Sequence, residues 1–200
     1  KVMRDLTLGL LVVYGFSAAY YFMFHGADYG IQSLILLACS LATTFICEFI
    51  FAKVTKKDPK DFILHSFGWV TSIILVMMCP IAITPYAVII ATVFAVAVGR
   101  LMFGGFGNNI YNPAAVGRAV IFASFSGAAT SLVTSATPAT LLNGSFRWLP
   151  GSAKALDAFL PTVGGWFGLL WGSYPGAIGE TFSIVILLVG IILAWRRVID

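Results

Sequence analysis

Apolar stretches close to the length of a membrane span, each with at most one Asp, Glu, Lys or Arg, recur along the chain, separated by polar or broken segments. A helix needs about 20 apolar residues to cross about 30 Å of hydrocarbon. Stretches of that kind run over 6–24, 31–52, 62–78, 86–103 and 113–128, and a last one over 180–195. The charge content agrees. Only 10% of the 200 residues are charged, against about 25% in a soluble domain, too few to clothe a water-exposed surface. A soluble enzyme is excluded, and the expected class is an all-α polytopic membrane protein with about six transmembrane helices.

Several spans are irregular. The third meets Cys79-Pro80-Ile81-Ala82-Ile83-Thr84-Pro85, whose two prolines cannot continue a regular helix and must be shielded by protein inside lipid. The fifth is short and carries Arg118. Residues 129–157, rich in Ser, Thr, Ala, Gly and Pro, read as an extramembrane loop. The stretch 158–174 is interrupted by Gly164, Gly165 and Gly168 and reads as a short or re-entrant helix. The expected organisation is one transmembrane domain: a five-helix repeat over 1–128, the loop 129–157, and the start of a second repeat over 158–200.

The formal net charge of +4 does not point to nucleic acid. Lys53, Lys56, Lys57 and Lys60 all fall in one connector, the pattern of membrane topology, because basic residues beside span ends are retained in the cytoplasm. Lys1, Arg4, that connector and the pair Arg196-Arg197 are therefore expected on the cytoplasmic side, and the loop 129–157 outside. Cys39, Cys47 and Cys79 show no metal-binding spacing and read as small core residues. His25 and His65 lie at span boundaries and read as satisfied interfacial groups, so no metal site is expected. Trp148, Trp166, Trp171 and Trp195 suit an interfacial aromatic belt.

Two segments stand out chemically. Residues 104–118 read Gly-Gly-Phe-Gly-Asn-Asn-Ile-Tyr-Asn-Pro-Ala-Ala-Val-Gly-Arg. Asn112 before Pro113 is a helix-start signature, with Asn as N-cap and Pro in the first helical position, so one reading is a tight turn between spans. A second reading is a flavin site: the carboxamides of Asn109 and Asn112 offer donors and acceptors complementary to a flavin imide edge, and the glycines let a planar ring approach the backbone. The other segment, Thr134-Ser135-Ala136-Thr137-Pro138, presents hydroxyls among small residues, with Pro138 blocking regular helix, and leaves Thr137 open to a modifying enzyme.

Together with Lys-Val-Met-Arg-Asp at the start and Pro-Gly-Ala-Ile-Gly-Glu-Thr at 175–181, these segments form four ordered stretches. They resemble the membrane flavoprotein family of RnfD, from the ferredoxin:NAD oxidoreductase complex, and NqrB, from the sodium-pumping quinone reductase. The short loops and the Thr-Ser-Ala-Thr-Pro form are more similar to RnfD. In that family the last Thr of the Ser/Thr-Gly/Ser-Ala-Thr pattern carries FMN through a phosphoester bond. The resemblance thus implies covalent FMN on Thr137, with Ser135 beside it. The family's Asn-x-x-Asn-Pro turn is associated with a non-covalent riboflavin, which implies Asn109 and Asn112 here. It further implies an electron-transfer subunit that is not catalytic alone, in a bacterial or archaeal inner membrane. Its partners would be other membrane and peripheral subunits and a flavin transferase. The family has two inverted-repeat halves, whereas this chain reads as one half plus a span, so a truncated or divided sequence is expected.

Glu48 and Glu180 are the ion-pathway candidates, because a carboxylate within a span is expensive to bury and is commonly functional. For Glu48 the competing reading is an interfacial acid paired with Lys53, and for Glu180 a carboxylate favoured by the dipole of the last helix. Arg118 is expected to pair a flavin or carboxylate or to reach the interface, and Arg100 to snorkel to the interface. The rival from another class is a channel or transporter whose broken helices, at 79–85 and 104–113, line a solute path.

Overall fold

In the computed structural model, residues 2–125, 161, 164–172 and 177–198 are described, and all regular structure among them is helical. Helix α1 (Val2–Tyr20) runs into a π-helical turn, Tyr21–His25. Helix α2 (Ala27–Val54) is the longest, at 28 residues, and lies centrally, packing against the third span and the fourth. The third span is divided into α3 (Pro59–Ser66) and α4 (Gly68–Met77), bent by 48° at Phe67. Helix α5 (Pro85–Val93) continues through a π-helical turn, Phe94–Val98, and a 3-10 turn, Leu101–Phe103. Helices α6 (Pro113–Ser124), α7 (Gly165–Trp171) and α8 (Ser183–Trp195) complete the described chain.

Among the described residues three helical segments are long and apolar enough to cross a membrane, Val2–His25, Ala27–Val54 and Pro85–Phe103, and the bent α3–α4 pair makes a fourth. The fifth and sixth expected spans are shorter: α6 has 12 residues and α8 has 13, or about 18–20 Å at 1.5 Å per residue. In the last stretch the residues from Ala177 to Thr181 form turns rather than helix, which delays the start of α8. The loop 129–157 lies outside the described residues, as do Ser135, Thr137 and Trp148.

Local chemistry explains the boundaries. The Asn112 side chain accepts a hydrogen bond from Ala114 N at 3.1 Å, with Pro113 in the first turn, as its sequence indicates. Asp58 does the same for Lys60 N, also at 3.1 Å, so Pro59 begins a helix. This is the one helical place where a missing N–H costs nothing. The helix breaks before Pro80 as expected, Pro85 opens α5 in its first turn, and the irregular stretch between them is shielded by protein. Gln32 Nε2 donates to Ile83 O at 3.0 Å, Ile178 N donates to Cys79 O at 3.0 Å, and Gly179 N to Met77 O at 2.8 Å. Ser17 donates to Ile178 O, and Thr181 Oγ1 donates to Ser17 Oγ at 2.8 Å. Two irregular segments therefore satisfy each other's backbone, which lipid would leave unpaired.

Small polar residues stitch the central helices. Ser40 meets Thr92 at 3.0 Å and Thr44 meets Ser72 at 2.5 Å, all four buried. Such residues let membrane helices approach closely and bond across the gap. Many large apolar side chains of α1, α2 and α8, such as Leu8, Ile46 and Ile191, point outward, as expected of a surface solvated by lipid tails.

One end of the bundle gathers the basic segments. Asp5 near the start of α1 pairs with Arg196 beyond α8 at 3.5 Å, Trp69 Nε1 donates to Thr7 Oγ1 at 3.2 Å, and Phe67 meets Phe106 at 5.6 Å. The N-terminus, the 53–60 connector, the 104–112 turn and the end of α8 thus share that end, while Tyr86 and Phe125 meet at the other. The grouping agrees with the common side inferred from charge.

Candidate functional site

The most unusual chemistry in the described bundle is a buried charge cluster beneath the basic end. Glu48 of α2 is fully buried and Arg100 of the fourth span is 3% exposed. Arg100 Nη1 lies 3.4 Å from Glu48 Oε1, and its Nη2 donates to Ser66 Oγ at 3.1 Å, while Ser66 in turn donates to Glu48 Oε1. The second carboxylate oxygen, Glu48 Oε2, is buried with no hydrogen-bond partner. Glu48 is thus not paired with Lys53, whose ammonium lies exposed over the Phe49 ring at 5.7 Å. Nor does Arg100 snorkel. Burying a charge is costly unless it is paired, so each of these two residues explains the other.

The kink between α3 and α4 makes room for the cluster. Phe67 adopts a left-handed conformation with φ 53°, which turns the chain so that Ser66 faces Glu48. Gly68 follows, and a Cβ there would meet Glu48 Cδ at 2.7 Å and Thr44 Cγ2 at 2.8 Å. Only glycine fits against the carboxylate. Arg100 also lies over the Phe106 ring at 5.8 Å. The charge cluster is therefore mechanically joined to the glycine-rich 104–112 turn.

In that turn Gly104, Gly105 and Gly107 all have positive φ, between 88° and 104°, a conformation that glycine adopts at little cost. Asn109 and Asn112 are both exposed. Asn109 Nδ2 donates to Tyr111 O at 3.2 Å, and Asn112 Oδ1 is engaged as the α6 cap. Among the described residues the opposite ends of the two carboxamides, Asn109 Oδ1 and Asn112 Nδ2, have no hydrogen bond. They leave one acceptor and one donor facing outward, a set that suits an imide edge.

Glu180 lies elsewhere, in the turn before α8, half-buried, with Oε2 accepting from Ala177 N at 3.1 Å. Its carboxylate caps a turn rather than the first turn of α8. With Arg118, Leu10, Ile74, Met77, Met78 and Gly179 it lines a cavity of about 230 Å³. Arg118 lies over the Phe122 ring at 5.3 Å. The structure thus joins Glu180 to Arg118 around one cavity and Glu48 to Arg100 and Ser66 in another cluster, and it leaves Asn109 and Asn112 at the surface.

Among the described residues no group of His, Cys, Asp and Glu could hold a metal ion. His65 pairs with Asp61 at 3.1 Å. His25 departs from expectation: its ring packs among Tyr20, Tyr21 and Tyr29, but its buried Nδ1 has no hydrogen-bond partner. Sequence reasoning missed Ser66, Gly68 and the pairing role of Arg100. A cation inside a long apolar run was the available signal for Arg100, whereas Ser66 and Gly68 carried none.

Comparison with known proteins gives this geometry a context. A model of the NQR2, RnfD, RnfE family matches residues 1–200. The D subunit of a proton-translocating ferredoxin:NAD(+) oxidoreductase complex from Clostridium ljungdahlii is 30% identical over 183 residues, covering 86% of this chain and 53% of that protein. The D subunit of a Na(+)-translocating ferredoxin:NAD(+) oxidoreductase complex from Acetobacterium woodii is 30% identical over 186 residues, 88% of this chain and 54% of the relative. The B subunit of a Na(+)-translocating NADH-quinone reductase from Azotobacter vinelandii is 32% identical over 178 residues, 78% of this chain and 40% of the relative. The chain spans about half the length of the two ferredoxin:NAD(+) oxidoreductase relatives.

Proposed function

The chain belongs to the NQR2, RnfD, RnfE family, and from that premise we propose that it is an electron-carrying membrane subunit of an Rnf-type ion-translocating ferredoxin:NAD oxidoreductase, inactive without its partner subunits. The family match over residues 1–200 carries this reading, and two relatives named for that activity each align with more than four-fifths of the chain. The NADH-quinone reductase relative supports an NqrB-type role as the second reading.

On the preferred reading Thr137 carries FMN through a phosphoester bond, with Ser135 beside it, in a loop on the outer face. A flavin transferase installs it. Bound FMN supplies a carrier that accepts and releases one or two electrons, while the protein sets its position and potential. Asn109 Oδ1 and Asn112 Nδ2 would hold a riboflavin imide edge at the opposite end of the bundle. The chain resides in the inner membrane with its N-terminus and basic connector in the cytoplasm, bound to further membrane and peripheral subunits. Glu48 and Glu180 are proposed for the ion path. Glu48 suits that role because one carboxylate oxygen remains unpaired in a buried setting.

The test is in-gel fluorescence under ultraviolet light after denaturation of protein co-expressed with the transferase. The wild type is expected to fluoresce and Thr137→Ala to be dark, with mass spectrometry locating the added FMN on the peptide containing Thr137. A dark wild type, or FMN on another residue, refutes the attachment.

A further inference from the structure

The turn at 104–112 is built outward from one residue. Arg100 O accepts from Phe103 N and Gly105 N, both at 3.2 Å, and Gly105 O accepts from Asn108 N at 3.3 Å, so backbone bonds lead from Arg100 to the neighbour of Asn109. The second carboxamide is reached from the residue before Arg100. A Cβ at Gly99 would stand 3.0 Å from Pro113 Cα, and Pro113 directly follows Asn112, whose Oδ1 is engaged as the α6 cap. The pair Gly99-Arg100 therefore touches both arms of the turn.

What holds that pair in place is the buried cluster. One arm of the Arg100 guanidinium reaches Glu48 on α2 at 3.4 Å and the other donates to Ser66, the last residue of α3, at 3.1 Å. Its Cζ lies 5.8 Å from the centre of the Phe106 ring, which belongs to the turn and meets Phe67 at 5.6 Å. A planar guanidinium loses little freedom per bond once both arms are fixed. Glu48 is fully buried, so water does not compete for these bonds.

We propose that Arg100, anchored by Glu48 and Ser66, is a positioning residue for the flavin turn and sets the placement of Asn109 Oδ1 relative to Asn112 Nδ2. The inference rests on the reading of those two groups as the holders of a riboflavin imide edge. An acceptor and a donor that meet one planar edge together must be held to within about 0.5 Å. Burial does not hold them, since both asparagines are exposed. Each is only as well placed as the backbone beneath it, and that backbone is tied to Arg100. A buried ion pair adds little net stability but can fix one arrangement of the groups around it; here the arrangement fixed is the turn.

The test uses the complete chain purified in detergent, as wild type, Arg100→Met and the double variant Glu48→Gln/Arg100→Met. Each is titrated with riboflavin, read by quenching of flavin fluorescence, and its ligand-free form is followed by hydrogen exchange. Both variants are expected to bind riboflavin about tenfold more weakly, the size of re-ordering one or two freed side chains. Their Gly105 and Asn108 amides are expected to exchange about fivefold faster, with those of α5 unchanged, because the loosening is local. The double variant separates positioning from stability. It carries no buried unpaired charge, so it regains melting temperature, yet it lacks the guanidinium bonds and does not regain affinity. Wild-type affinity in the double variant overturns the proposal, as does exchange accelerated equally throughout α5. A wild type that binds no riboflavin refutes the flavin reading of the turn, and this inference with it.

Discussion

Replacing Arg100 with methionine leaves Glu48 as a fully buried charge whose only remaining partner is the Ser66 hydroxyl. At an effective dielectric of about 20, two unit charges 3.4 Å apart attract by about 5 kcal/mol. Removing one member of such a pair typically costs about 3–5 kcal/mol, because the survivor keeps its desolvation penalty and loses its compensation. At about 2–4 °C per kcal/mol for a chain of this size, Arg100→Met is expected to melt about 6–20 °C below wild type. The assay is thermal unfolding in detergent, followed by circular dichroism, of wild type, Arg100→Met, Glu48→Gln and the double variant. Glu48→Gln keeps the shape and an acceptor for Ser66 while removing the charge. The double variant should therefore recover at least half of the Arg100→Met loss. If Arg100→Met melts within about 2 °C of wild type, or if the two single losses simply add in the double variant, the buried pair is not coupled and the reasoning fails.

Gly68→Ala is expected to cost about 1–3 kcal/mol by overpacking, since the added methyl would meet the Glu48 and Thr44 side chains; the same melt measures it. Ser17→Ala removes the donor to Ile178 O and the acceptor of Thr181, and a loss of about 1 kcal/mol is expected, because Thr181 Oγ1 still reaches Ile178 O at 3.4 Å, with faster hydrogen exchange at Ile178 and Gly179 as the local readout. Asn112→Ala should cost about 1 kcal/mol through the lost α6 cap, whereas Asn109→Ala, which loses one exposed bond, should leave the melting point nearly unchanged. Asp5→Asn breaks a pair whose arginine is half-exposed, and a change below about 1 kcal/mol is expected.

Much of the fold was legible because local rules act over a few residues. Asn112-Pro113 carries its own helix start, and Pro80 cannot continue α4, whereas Pro85 takes the first turn of α5. The third span shows the limit. Residues 62–78 read as one continuous apolar run, yet the chain bends at Phe67, where a bulky residue adopts φ 53°. Nothing in Phe67 itself asks for that conformation; the bend is supported by Ser66 and Gly68 reaching Glu48 and Thr44 on another helix.

The candidate site divides in the same way. Glu48 could be marked from its place in an apolar run, but Lys53, five residues away, was the natural partner on sequence distance. Arg100, 52 residues away, is the actual one. Glu180, an ion-pathway candidate whose competing reading was the dipole of the last helix, caps a turn that pairs with the end of α4. The chain's own order of residues determines that it must live in lipid, where helices begin and break, and which end of the bundle collects the positive charge, because hydrophobicity, proline geometry and capping are properties of neighbours in the chain. Which charges neutralise each other, and where two broken segments meet, only the packed bundle decides, since a buried charge takes its compensation from whatever group three-dimensional packing places within bonding distance.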